Sequence, residues 1–435
     1  MKKFAGVLLA AVLATLPAQA LEPVIQPLAD SGYTYYAIDS HGELYAWGDS
    51  FHGAVGPTDQ DPLPWEEANI LLENARYVAA GFIMAAAIDT EGVLWGWGGH
   101  AGRTFGEGEP YRLLEDVAEV SVGDTRCTAL RTDGTAWVWG ARYGKSLEVH
   151  REDPFFRPTQ VLDHVVQVYG DLAVLEDGTL VYYEFDGDTA SVTPLMEHVA
   201  AAGGLYDDIN DPAILIQGED GSLWRVPWQS AGETSGASSR MLLGQPEKLL
   251  EDVVQFTGGT AVTADGTLWA WGQNRPAMLD QGAVDPADPY DPEDCQDMVP
   301  IMEGVRWARE TGSRTLVILE DGTLWEIPSA RRIQMLEEGS PLSVLTQPRQ
   351  LLSQALLPND PPVWAAEAPA PTVVASASLA ALEDAESAAP QTEQTEASPE
   401  PVPDTAPESP LAGAWLPATA AAALAVIAWL RGRKH

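Results

Sequence analysis

The densest run of groups able to hold a metal ion lies between residues 285 and 297, where Asp285, Asp288, Asp291, Glu293, Asp294 and Asp297 stand among three prolines. Carboxylate oxygens suit Ca²⁺, but this spacing does not follow the alternating ligands and central glycine of the twelve-residue hand loop, so a solvated acidic loop competes with a calcium site. Asp207, Asp208 and Asp211 form a shorter acidic group with less to offer. Apart from that calcium option, no cofactor is expected. His41, His52, His100, His150, His164 and His198 are scattered without metal-ligand spacing. Neither a phosphate-cradling glycine loop nor a nucleophile elbow nor a zinc motif is present. The chain therefore reads as non-enzymatic, with a hydrolase or lyase as the alternative. A second set of residues suits recognition: Phe51, His52, Trp65, Phe105, Tyr143, Phe155, Phe156 and Tyr290 stand in otherwise polar connecting stretches. Residues of these types are favoured in protein interfaces and as platforms on which sugars stack, so they predict binding of an extracellular protein or glycan.

What positions these residues is a phrase that recurs seven times, with pivot glycines Gly42, Gly92, Gly134, Gly178, Gly221, Gly266 and Gly322. Each pivot sits between two apolar runs, and five of the seven are preceded by Asp, at 133, 177, 220, 265 and 321. Apolar runs flanking Asp-Gly predict hairpins, here with a type I′ turn in which both central residues take positive φ. In Leu268-Trp269-Ala270-Trp271 side chains alternate between two apolar faces, as expected of a strand sandwiched between neighbours. Further apolar stretches precede the hairpins, such as 113–122, 161–169, 249–256 and 301–307. A unit of three or four short strands cannot bury two apolar faces alone, so the units must stack, and closing them into a ring removes exposed ends. Pivots about 42 to 56 residues apart fall in the range of such arrays. The expected fold is all-β, a seven-bladed β-propeller over residues 21–357. Residues 347–357 open like another unit without its hairpin, and either they or residues 21–31 close the ring.

Four units end in Trp-Gly, at Trp47-Gly48, Trp97-Gly98, Trp139-Gly140 and Trp271-Gly272. With the phrases around them, at 32–48, 81–98, 123–140 and 258–272, they resemble the repeats of the regulator of chromosome condensation family. The fourth, fifth and seventh units depart from that ending, with Glu184, Pro227 and Pro328 in place of the glycine. The resemblance covers residues 30–357 and implies the propeller fold. It does not carry function, because folds of this kind host unrelated activities. The founding eukaryotic members are nucleotide-exchange factors that hold chromatin, and a secreted acidic chain supports neither role. A secreted propeller inhibitor of β-lactamases is similar in fold and binds through one face, so inhibition of an extracellular enzyme by protein contact is a second alternative.

Connections between units differ most after the second hairpin strand, at 49–70, 99–112, 141–160, 229–244 and 273–300. Because they leave equivalent strand ends, they should crowd onto one face of the ring, where loops on a rigid scaffold usually carry binding. The formal net charge of -40 argues against nucleic acid, whose binding relies on Lys and Arg. Residues 1–20 have the basic start, apolar run and small-residue end of a signal peptide cleaved after Ala20. Residues 358–410 are rich in Pro, Ala, Ser, Thr and Glu with no Lys or Arg, and predict a disordered acidic stalk. Residues 411–430 carry no charge and as a helix would extend about 30 Å, enough to cross a bilayer as a transmembrane anchor. The basic tail at 431–435 would stay inside, leaving the propeller outside. Attachment to a cell wall through Leu416-Pro417-Ala418-Thr419-Ala420 is the alternative. The two cysteines, Cys127 and Cys295, fall in distant units and are expected to be unpaired.

Overall fold

The computed structural model describes residues 20–31, 33–50, 53–81, 84–98, 109–123, 126–140, 158–185, 190–206, 212–231, 240–271, 298–311, 314–328, 348–359, 364, 368–374 and 377–378. They form seven antiparallel sheets, each built around one consecutive stretch of chain that runs from an inner to an outer strand. The blades span residues 28–72, 75–114, 117–162, 165–197, 199–250, 253–302 and 305–352. This is a seven-bladed β-propeller. Blade three shows the plan, with Val117–Val122 innermost, then Arg126–Arg131, Ala136–Gly140 and Thr159–Leu162. Its second strand pairs Cys127 with Trp139 and Ala129 with Trp137, and buries all of Cys127 to Leu130. The core lies between blades: Tyr36 and Ile38 of blade one cluster with Val78, Ala85 and Trp97 of blade two. Each sheet needs its neighbours to cover both apolar faces, as the repeat pattern requires.

The hairpin turns differ from the type I′ geometry expected. Only the glycine takes positive φ, as at Gly134 (80°) and Gly266 (82°), and none of the preceding aspartates does. Gly134 N–H donates to Arg131 O at 3.0 Å while Arg131 N–H donates to Thr135 O at 2.9 Å, a type I turn followed by a glycine bulge. Asp is there for its carboxylate: Asp133 Oδ1 accepts Thr135 N–H and the Thr135 hydroxyl. Blades one and two lack that Asp but carry one two residues earlier. Asp39 Oδ1 accepts the N–H groups of His41 and Glu43, and Asp89 Oδ1 those of Glu91 and Val93. The same loop polarity is thus met from a different position.

Ring closure uses both segments that the sequence offered as alternatives. Residues Leu28–Asp30 are the inner strand of blade one, pairing Leu28 with Ala37 and Asp30 with Tyr35. Residues Arg349–Leu352 complete blade seven as its outer strand, and the chain then continues into blade one, where Ala355 bridges Asp39. Blade two pairs Ala75 with Asp89 and Val78 with Ala87, so Ala355 and Leu28 fill positions held there by one continuous strand. Ile38 joins the halves: its carbonyl accepts Leu356 N–H at 2.9 Å and its N–H donates to Pro27 O at 3.0 Å. Asn359 clips the two segments together, accepting Ile25 N–H and donating to Pro23 O. Charged groups reinforce this seam: Arg309 meets Asp30 at 2.8 Å, Arg349 meets Glu66 at 2.9 Å, and the Arg314 guanidinium lies 4.6 Å above the Tyr35 ring.

Contacts with the propeller do not stop at residue 358, where the stalk was expected to begin. Trp364 lies against Gly221, and Thr372–Val373 adds a fifth strand to blade four, pairing Met196 with Val373. Ala377 is fully buried in the cluster between blades four and five. Small apolar residues hidden in the Pro- and Ala-rich composition fill that groove. By contact the chain divides at Ser387 and Ala388. Residues 1–19 of the expected signal peptide, residues 379–410 of the expected stalk, the 411–430 span and the tail lie outside the described residues. Among those described, no helix is long and apolar enough to cross a membrane. Cys127 is a buried free thiol whose pKa burial pushes up, and Cys295 lies outside the described residues.

Candidate binding face

Alternation of antiparallel strands sends the third-to-fourth connections of every blade to one face and the Asp-Gly turns to the other. The turn face is uniform. Each hairpin turn is short, and each passage to the next blade is one or two residues long with the same bond. Val117, Val165, Val253 and Val305 N–H groups donate to the carbonyls of Gly92, Gly134, Gly221 and Gly266, all at 2.9 Å. A polar rim locks it further: the indole N–H groups of Trp137 and Trp325 donate to the hydroxyls of Thr135 and Thr323. The pKa values of Asp177, Asp265 and Asp321 are held below the ordinary carboxylate value by hydrogen bonds from neighbouring threonine hydroxyls and backbone N–H groups.

The opposite face is variable. Its connections run from residues 186–189 in blade four to 271–298 in blade six. The third strands reach it at Gly48, Gly98 and Gly140, which all have positive φ. At Gly48 a Cβ would lie 2.2 Å from Tyr33 O, so the chain passes too close to the neighbouring turn for any side chain. That contact explains why Trp-Gly ends the first repeat. The tryptophan before it goes inward, Trp47 being 2% and Trp97 0% exposed.

The blade-one loop shows how such a loop is held. Gly48 and Leu63 exchange both backbone hydrogen bonds, at 2.8 and 2.7 Å. Ala54 O accepts from the Tyr36 hydroxyl and from the Trp97 indole of blade two, at 2.8 and 2.9 Å, and Asn69 Nδ2 donates to Val55 O and Pro57 O. Trp65, expected among the ligand-binding residues, is half-buried and packs within this fold: its ring meets Trp47 edge-on at 4.8 Å and Tyr45 at 5.7 Å. It packs beneath its own loop because the blade-one and blade-seven side chains there leave an apolar gap. Phe51, His52, Phe105, Tyr143, Phe155, Phe156 and Tyr290 lie outside the described residues, as do Asp285, Asp288, Asp291, Glu293, Asp294 and Asp297. Among the described residues, no three His, Cys, Asp or Glu side chains stand close enough to hold a metal ion. Tyr33, on this face, is 54% exposed.

A feature with no obvious sequence motif joins the inner strands of neighbouring blades. On two inner strands a glutamine clamps the next blade: Gln167 Nε2 donates to Ala202 O at 3.0 Å while its Oε1 accepts Ala202 N–H at 3.1 Å, and Gln255 does the same with Ala308 at 3.0 and 3.2 Å. Blade three carries Glu119 at the equivalent position, its Oε2 accepting Val168 N–H at 3.4 Å. Burial raises the Glu119 pKa to about 7, against the lowering effect of its bonds to Val168 and Gln167. Aligning Glu119, Gln167 and Gln255 two residues after Val117, Val165 and Val253 would have revealed the set.

No family model and no curated protein sequence matches the chain. Among solved structures, yeast RCC1 (Prp20), determined bound to Kap60, is similar at 14% identity and a TM-score of 0.49, over 72% of this chain and 81% of that one. Prp20p from Saccharomyces cerevisiae, described with its binding to Gsp1p and histones, aligns at 16% identity and 0.45, covering 63% and 76%. Human WBSCR16 aligns at 15% identity and 0.45, covering 66% and 83%. The likeness is one of fold.

Proposed function

We propose that the chain is a non-enzymatic recognition module that binds a protein through the face carrying the long loops, and that its C-terminal apolar span holds it at the outside of a cell membrane. The observation that carries the binding assignment is the asymmetry of the two faces. Every turn-face connection is short and bonded alike, whereas the opposite connections vary in length from residues 186–189 in blade four to residues 271–298 in blade six. Variation confined to loops on a bonded scaffold is how binding surfaces diversify without cost to the core. Protein binding is also what the names of the structurally similar Prp20 complexes describe for those proteins. Acidity over the whole chain, at -40, favours a partner with a basic surface, and electrostatic attraction would speed its capture.

The test is a crosslinking capture from envelope and host-surface extracts with the full chain in detergent. One variant has residues 273–296 replaced by a Gly-Ser linker; a second has the turn-face changes Glu91→Lys, Asp163→Lys and Glu303→Lys. Saturable capture lost in the first and kept in the second is expected. The reverse pattern would move the site to the turn face. Turnover of a substrate panel, with no saturable partner, would replace the reading with the enzymatic alternative.

A further inference from the structure

The C-terminal segment that crosses blades four and five has a geometry suited to bearing tension. Val373 and Thr372 pair with Met196 and Glu197 at the outer edge of blade four. Val374 N–H donates to Leu195 O and Ala377 N–H to Val374 O, both at 2.8 Å. Ser378 bridges Leu243 of blade five, and Ala377, 0% exposed, plugs the seam beside Leu195, Met196 and Leu243. Nearer the ring, Pro371 lies against Gly218 and Trp364 against Gly221, where an added Cβ would fall 2.4 Å from the indole. Six separate contacts thus fasten a short segment to two blades. The ring closure has no covalent continuity into Leu28 and is held by the backbone bonds of Ala355 and Leu356 to Gly322 and Ile38, by the Asn359 clip and by the ion pairs of the seam. Chain ends held this way are where local opening begins.

We propose that Trp364, Pro371 to Val374 and Ala377 to Ser378 act together as a strap that takes tension from the C-terminal stretch onto blades four and five and shields the closure at Ala355 and Leu356. The strap and closure lie in series along the chain. A pull applied beyond residue 378 reaches Leu356 only after the strap has let go, and it is then delivered to the seam between blades seven and one. The functional value of this arrangement rests on the proposed C-terminal anchoring, which cell fractionation tests separately; the mechanical assignment stands or falls on the molecule alone.

The experiment stretches the full chain in an optical trap, in a Cys295→Ser background, between handles at Tyr111→Cys, a 62% exposed rim position, and Ser387→Cys. It compares the unaltered strap with Ala377→Asp and with a chain whose residues 371–378 are replaced by an equal length of Gly-Ser; thermal unfolding confirms that each ring is folded. The expected result is that the unaltered chain opens at a higher force than both variants, in one event whose length gain includes strap and closure together. A short first extension below the variants' opening force, followed by ring opening at the same force as theirs, would overturn the proposal.

Discussion

Replacing Glu119 by Gln should make the propeller less sensitive to pH without loosening it. In the unfolded chain this carboxyl ionises near its ordinary 4.5, whereas in the folded ring it keeps its proton until about pH 7. The folded pKa is the higher one, so the stabilising contribution is complete below pH 4.5 and is lost as pH rises through 7. At about 1.4 kcal/mol for each tenfold change in proton affinity, the full loss is about 3 kcal/mol. Water that reaches the partly accessible carboxylate would reduce this to roughly 2 kcal/mol. The groups around Glu119 are spent elsewhere: Tyr77 donates its hydroxyl to Val120 O, Gln167 is engaged with Ala202, Ser121 accepts Gly170 N–H, and the Arg76 guanidinium donates to Val117 O and Ala118 O. Glutamine presents the donor and acceptor that a protonated carboxyl presents, as Gln167 and Gln255 already do on their seams. Urea unfolding of both chains at pH 5 and pH 8 isolates the effect, since the other carboxylates contribute equally to each. The wild type should lose about 2 kcal/mol more than E119Q between the two pH values. Equal losses in the two proteins would refute the clamp and its titration.

Two further outcomes follow from the seams and the blade-one loop. Asp30→Asn leaves Arg309 without its 2.8 Å carboxylate at the closing seam, and because the arginine is partly open to water the cost should be about 2 kcal/mol, read as a lowered Tm that narrows toward the wild type at high salt. A cost independent of salt would mean that the pair acts through packing alone. Trp65→Ala removes a half-buried ring from the Tyr45 and Trp47 cluster and should lower stability by about 2 kcal/mol in thermal unfolding while leaving partner capture unchanged. Loss of capture at unchanged Tm would return Trp65 to the binding surface.

The architecture was legible because the pivot glycines and their flanking apolar runs repeat, and strand alternation translates directly into which residues share a face. Turn geometry was less so: Asp-Gly permits type I′, and only the bonding of Asp133 to Thr135 shows that the carboxylate, not a positive φ, is what the position needs. Closure could not be read because its two halves, Pro27 to Asp30 and Ala355 to Leu356, are each too short to carry a strand pattern and are joined only through Ile38. The strap was concealed by composition, since Pro371, Val373 and Ala377 belong to a stretch whose overall makeup resembles an unfolded linker. The packing of Trp65 on Trp47 and Tyr45 could not be read because an aromatic residue in a long loop has the same sequence signature whether it faces a ligand or fills the gap below. The Glu119, Gln167 and Gln255 clamp was present at matching offsets, but isolated polar residues in apolar strands carry no motif.

Assignment of binding to the loop-bearing face is tested most directly by hydrogen exchange on the full chain, free and saturated with its captured protein partner. Exchange should slow in peptides that cover the third-to-fourth connections, including 49–68 and 271–298, with the turns around Gly134, Gly266 and Gly322 unchanged. Protection concentrated at those turns, with the long connections exchanging as in the free protein, would contradict it.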